Sequence, residues 1–152
     1  MNDLPTPSKG GVRRMLMYIE PLFRRTLITP PLEGLGRLGY FMYYVEKRLE
    51  ISAAHNLHLS YESKCEALHG HNWIIIVYCK ARELNEDGMV TDFTHINRVV
   101  KDTFDHKYIN EVLDVNPSAE NIARWICDHV ENCYKVSVHE SENNCAIYEK
   151  DE

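Results

Sequence analysis

Histidines 69 and 71, separated by one glycine in the run His69-Gly70-His71, are the sharpest chemical feature of this chain. At the start of a strand, residues i and i+2 project from the same face, so both imidazoles point to one place. Gly70 between them leaves the backbone free to bend toward a ligand. His55 ends an upstream alternating run, and a hairpin joining the two runs brings it alongside. Three neutral imidazoles with no fourth protein ligand describe an open zinc site, which keeps a position for water or substrate and acts as a Lewis acid. A lone His-x-His pair is a weak signal, and its neighbours give it weight. His58, three residues past His55, is a rival ligand. His95, His106, His129 and His139 read individually as helix, loop or surface residues.

Cys65 lies four residues before His69, in the polar stretch between the two histidine-bearing runs. At most roughly 14 Å of extended chain separates them, so the thiol can hang over the metal site. A thiol titrating near about 8.5 is lowered by a nearby cation into a usable range, which makes Cys65 a candidate proton-transfer group. Asp105-His106 is a second candidate pair, an acid beside a base that it can orient. Glu140 shares the apolar face of Val136 and Val138 by alternation. A carboxylate there is costly unless it meets charge-assisted donors, and a ligand with a planar fork of N–H groups supplies them. Cys79, Cys127, Cys133 and Cys145 read as small hydrophobes.

The elements that must position these groups follow from periodicity. Leu49, Ile51 and Ala53 alternate with Glu50, Ser52 and Ala54, which predicts a strand. Trp73-Ile-Ile-Ile-Val-Tyr-Cys79 is β-branched and aromatic, a long buried strand closed by the turn Asn85-Glu-Asp-Gly88. Asp92 caps a predicted helix with apolar positions Phe93, Ile96, Val99, Val100 and Phe104. Ser118 caps a second, with the stripe Ile122, Ala123, Ile126, Cys127 and Val130. Tyr134, Val136 and Val138 alternate in a third strand, and Cys145-Ala-Ile-Tyr148 returns as a fourth. The order β-β-α-α-β-β describes an α+β domain, a four-stranded antiparallel sheet with two helices on one face.

With 44% hydrophobic and 26% charged residues, the 152-residue chain reads as a soluble globular domain. No apolar run approaches the roughly 20 residues of a membrane span. Five cysteines without a Cys-x-x-Cys pair argue against a disulfide framework and for a reducing, cytoplasmic setting. The net charge of −6 gives no reason to expect nucleic acid or an anionic membrane as partner. Residues 1–41 differ from the rest: they hold five of the six prolines and five of the seven glycines, and carry +3 against −9 for the remainder. They are expected to be a flexible leader or a mis-assigned start, with Met42 opening the folded domain, residues 42–152.

The phrases Ser-Ala-Ala-His55, Lys-Cys65-x-x-x-His69-Gly-His71-Asn-Trp, Asp-Gly-Met-Val-x-Asp92-Phe, Asp105-His106-x-x-x-Asn110, Asn-Pro-Ser-Ala-Glu120-Asn121 and Val-x-Val-x-Glu140 run in this order from about Met42 to the end. Together they resemble the 6-pyruvoyl and 6-carboxy tetrahydropterin synthase family. The resemblance implies the tunnelling (T-) fold, with subunits forming a trimeric barrel and two trimers stacking into a homohexamer. It implies zinc on His55, His69 and His71, and an active site between subunits. Its catalytic positions match Cys65, Asp105, His106 and Glu140, with Asp105 and His106 coming from a neighbouring subunit. Glu140 matches the pterin anchor, and Glu120 and Ser118 match a segment lining the pterin pocket. Ser118 and Ser141 stand where the family more often has Thr, and residues 1–41 have no counterpart in its compact members.

The substrate so implied is 7,8-dihydroneopterin triphosphate. The wording around Lys64-Cys65 and Asn-Glu-Asp-Gly-Met-Val is closer to bacterial members that make 6-carboxytetrahydropterin for queuosine and other deazapurines, releasing acetaldehyde and triphosphate. That activity is a carbon–carbon lyase. The alternative is the 6-pyruvoyl reaction, which eliminates triphosphate and keeps the three-carbon side chain. An alternative of another class is a non-catalytic zinc- or pterin-binding scaffold, against which the thiol of Cys65 beside the metal argues.

Overall fold

The structure, a computed structural model, describes residues 41–151. The leader expected over residues 1–41 therefore lies, but for its last residue, outside the described residues. Four strands, β1 (Tyr43–His55), β2 (His69–Ala81), β3 (Cys133–His139) and β4 (Cys145–Glu149), pair antiparallel in the order β1-β2-β3-β4. Helices α1 (Phe93–Phe104) and α2 (Ala119–His129) are inserted between β2 and β3. This is the predicted α+β order. No helix among the described residues is long and apolar enough to cross a membrane.

Both helices start where short polar side chains cap them. Asp92 accepts a hydrogen bond from the Thr94 N–H at 2.7 Å, and Ser118 accepts one from the Asn121 N–H at 3.4 Å. Each bond satisfies one donor that a helix start leaves without an intrahelical partner. Ile96, Val100 and Phe104 of α1, and Ile122, Ala123, Ile126 and Cys127 of α2, are buried. They belong to one core with Leu49, Ile51, Trp73, Ile75, Val77, Val136 and Val138, all on one face of the sheet. Burying such a side chain is worth about 1.5–3 kcal/mol relative to leaving it exposed, so this face fixes which residues point inward.

β1 begins six residues earlier than the alternation predicts, at Tyr43. Its first half carries Glu46, Lys47 and Arg48, whose polarity hides the pattern, and pairing with β2 extends it. Register then decides the site. Ile51 pairs with Trp73, Ala53 with His71, and His55 with His69. The apolar face of the sheet therefore ends, at one edge of the core, in a row of imidazoles.

Candidate metal centre and adjoining cavity

His55 ends β1, and His69 and His71 open β2. The rings of His55 and His71 meet Trp73 edge-on, with centroids 4.9 and 5.1 Å away, so the core aromatic forms the floor beneath them. Trp73 is itself held by its indole N–H, which donates to the Ala53 carbonyl at 3.2 Å. His55 is 1% exposed, one of the few buried polar residues. Burial lowers its pKa and a hydrogen bond to Pro117 opposes that shift, with His69 and His71 adding to the lowering. The buried ring is thereby kept in the neutral form that a metal takes.

Backbone carbonyls set the tautomers. His55 Nδ1 lies 2.8 Å from the Pro117 carbonyl, and His69 Nδ1 2.7 Å from that of Ala67. A carbonyl can only accept, so both Nδ1 atoms carry the proton, and a neutral ring then presents its lone pair at Nε2. Those two Nε2 atoms stand 3.1 Å apart. Two bare lone pairs at that distance repel unless a proton or a cation lies between them. His71 Nε2 is shielded from solvent and makes no hydrogen bond, although it lies 2.9 Å from Glu140 Oε1. Ligand atoms of His55, His69, His71 and Glu140 all lie within 4.8 Å of one another. Imidazoles tied to carbonyls through their second nitrogen, together with a buried Nε2 that has no hydrogen bond, fit a divalent metal ion.

Glu140 modifies the expected ligand set. The alternation puts it on the face of Val136 and Val138, and pairing of Ile74 with His139 brings the next residue beside the histidines. Its carboxylate, 2.9 Å from His71 and 3.8 Å from His55, lies within reach of an ion that the histidines would hold. His58 is absent from the cluster. Its backbone N–H and carbonyl are instead held by the Asn116 side chain at 2.9 and 3.1 Å.

A cavity of about 390 Å³ adjoins the centre, lined by His55, Ser118, Glu120, Glu140, Asn144 and Cys145. Of the predicted pterin-pocket residues, Ser118, Glu120 and Glu140 thus meet at one wall. Glu140 faces both the cavity and the imidazoles, which lets one carboxylate serve either. Cys65 is half-buried in a short 3-10 turn, Lys64–Glu66, capped by Ser63. Its carbonyl accepts from the Leu57 N–H at 2.8 Å, tying the turn to the chain just past His55. The thiol is not part of the ligand cluster.

Asp105 and His106 sit beside β1, and His106 lines a second, more open hollow of about 650 Å³ with Ser52, Gly70, His71 and Lys107. Asp105 Oδ1 accepts from the Ser52 N–H at 3.0 Å, and the His106 N–H donates to the Ser52 carbonyl at 2.7 Å. These bonds hold His106 in the left-handed region, at φ 57°, which a non-glycine residue adopts only under constraint. Asp105 Oδ1 is 3.9 Å from His106 Nε2, beyond hydrogen-bond range, and the His106 side chain is 83% exposed. Within the subunit Asp105 anchors the turn, and its carboxylate stands at ion-pair but not hydrogen-bond distance from the imidazole. Pro117 is the residue that pattern reading missed, because it acts through a carbonyl, which every residue possesses.

The sequence pattern of the 6-pyruvoyl tetrahydropterin synthase family matches residues 44–151. A 110-residue stretch is 36% identical to the 6-carboxy-5,6,7,8-tetrahydropterin synthase of Synechocystis sp., covering 66% of this chain and 84% of that one. A 73-residue stretch is 44% identical to a Pyrococcus horikoshii protein assigned to the same synthase, covering 45% of each chain; this alignment spans less than half of that relative's length. Among solved structures, Caenorhabditis elegans 6-pyruvoyl tetrahydropterin synthase superimposes with a TM-score of 0.59 at 24% identity, covering 72% of this chain and 96% of that one. Its fold is the T-fold of the present domain. With the family pattern spanning all four strands, both helices and the imidazole cluster between them, the chain belongs to the 6-pyruvoyl tetrahydropterin synthase family.

Proposed function

We propose that the protein converts 7,8-dihydroneopterin triphosphate and water to 6-carboxy-5,6,7,8-tetrahydropterin, acetaldehyde and triphosphate, with zinc on His55, His69 and His71. The observation that carries this reading is the pair of Nε2 atoms 3.1 Å apart, beside a carboxylate-lined cavity. Zinc bound there supplies Lewis acidity toward the side-chain oxygens of the substrate. Glu140 accepts the N–H fork of the pterin ring, and Glu120 and Ser118 line the same wall. Cys65 takes the proton from the side-chain carbon, acting from its turn outside the ligand cluster. Asp105 and His106 of a neighbouring subunit form the second acid/base pair, and the high exposure of His106 suits a partner across an interface.

The similarity to the Synechocystis 6-carboxy enzyme supports the carboxy product, within the queuosine and deazapurine route. The five free cysteines suit the reducing cytoplasm. The homohexamer rests on β1 and β4 lying at the edges of the sheet, edges that closure into a trimeric barrel pairs. The domain reading, residues 42–152 as the catalytic unit and 1–41 as a dispensable leader, belongs to the same proposal.

Incubation with 7,8-dihydroneopterin triphosphate, trapping of volatile aldehyde and mass analysis of the pterin test the reaction. One acetaldehyde per triphosphate is the expected result. Triphosphate with a retained three-carbon side chain and no aldehyde assigns the 6-pyruvoyl reaction instead. No consumption of the substrate by the zinc-loaded protein assigns a binding scaffold.

A further inference from the structure

The carbonyl that aims His55 is itself held by an arrangement of asparagine side chains. Asn116, Pro117 and Ser118 form a three-residue turn closed by the Ser118 N–H donating to the Asn116 carbonyl at 2.8 Å. Proline suits the centre of such a turn because its ring already sets φ near −65°. The turn directs the Pro117 carbonyl at His55 Nδ1, 2.8 Å away. Asn121, in the first turn of α2, donates its side-chain N–H to the same Asn116 carbonyl at 2.9 Å. The Asn116 side chain reaches the other way and pairs with both backbone groups of His58. Two residues before His58, Asn56 has both its backbone groups paired with the Asn110 side chain, at 3.0 and 2.8 Å. An amide side chain offers a donor and an acceptor side by side, so Asn110 and Asn116 each act as a substitute peptide. They continue the pairing of β1 beyond its last residue, His55.

From these bonds we infer that Asn121 and Asn116 are positioning residues for the metal centre: they hold the Pro117 carbonyl where it fixes the tautomer and aim of His55. The inference rests on the metal reading above. Without the Asn121 donor, the Asn116 carbonyl keeps only the bond within its own turn, and the turn can swing. His55 Nδ1 then loses a fixed acceptor, and its Nε2 lone pair is no longer committed to the site. Changes of this kind behind a ligand cost about 10–100-fold in metal affinity.

Asn121→Asp separates positioning from mere stability. The substitution keeps size and removes the donor. A carboxylate in the first turn of a helix favours the helix, and a new negative charge near a cation favours binding. Helix stability and charge thus both predict binding at least as tight as wild type, whereas loss of the brace predicts weaker binding. Zinc affinity is measured on the full chain by competition with a chromophoric chelator, and the visible bands of bound cobalt report coordination geometry. We expect about tenfold or greater weakening and altered cobalt bands in Asn121→Asp and Asn116→Ala, with much of the affinity returning in Asn121→Gln, which keeps the donor on a longer arm. Asn85→Ala is the control: Asn85 also accepts two backbone N–H groups, from Asp87 and Met89, in the β2–α1 turn. It should leave metal affinity unchanged. Wild-type affinity and an unchanged cobalt spectrum in Asn121→Asp overturn the inference while the metal reading stands. Absence of metal binding by wild type overturns both. If Asn121→Asp does not fold, Asn116→Ala and Asn121→Gln carry the same comparison, and wild-type affinity in Asn116→Ala is equally fatal.

Discussion

His55→Ala and His69→Ala should abolish tight metal binding alike, yet differ sharply in the stability of the metal-free protein. Removing one of three histidine ligands leaves too few for a stable open site. His55, however, is buried among Trp73, His69 and His71, whereas His69 is only partly buried. Deleting a large core side chain costs about 2–5 kcal/mol. Leaving the Pro117 carbonyl without its donor adds about 1–3 kcal/mol. Water entering among the remaining polar groups, and relief of the facing lone pairs, offset part of this. A net loss of about 2–4 kcal/mol follows for His55→Ala by these magnitudes. For His69→Ala the lost bond goes to the exposed Ala67 carbonyl, which water replaces, so less than about 1 kcal/mol is expected. The assay is urea unfolding at fixed protein concentration, with and without a strong chelator. Wild type should gain about 4 kcal/mol from metal at a thousand times its dissociation constant, and neither variant should gain it. Equal midpoints for the two chelated variants would refute the assignment of His55 as a core residue of the centre. A metal-dependent gain in His69→Ala equal to that of wild type would refute the ligand set.

Three further outcomes are expected. Cys65→Ala should keep its zinc, measured by metal analysis, and lose about 10²–10⁴-fold in turnover, because the thiol lies outside the ligand cluster and is assigned to proton transfer; near-wild-type turnover removes that role. The chelated protein should lose stability as pH falls below about 6.5, because burial lowers the folded-state pKa of His55 and the unfolded chain then binds the extra proton, giving at most about 1.4 kcal/mol per pH unit for this group; urea midpoints that do not fall between about pH 7.5 and 5.5, or that fall equally in His55→Ala, contradict it. Deleting residues 1–41 should leave a folded, active protein, since the family pattern starts at residue 44 and each proposed site residue lies at or beyond His55; aggregation or loss of turnover in the truncated chain shows that the segment belongs to the domain.

Local pattern alone determined much of this protein. Period-2 alternation identified the inward faces of the second half of β1 and of β3, a β-branched and aromatic run identified β2, and period-3.6 stripes identified the inward faces of α1 and α2. Asp92 and Ser118 were legible as caps because a short polar side chain before an apolar stripe has one favourable use there. The convergence of His69 and His71 followed from strand geometry alone. Tertiary structure decided the rest. The length of β1 came from pairing with β2, because Glu46, Lys47 and Arg48 obscure its alternation on the open face. That His55 faces His69 depends on register across the whole segment from Asn56 to Leu68, which no local period encodes. Glu140 entered the imidazole cluster through the β2–β3 register, and Asp105 gave its carboxylate to the Ser52 N–H. Pro117 orients His55 with a backbone carbonyl, a group common to all residues and therefore silent in sequence. Side-chain type specifies which face a residue takes and what chemistry it offers. Distances of about 3 Å between such groups are set only when distant strands pair and the core they share closes around them.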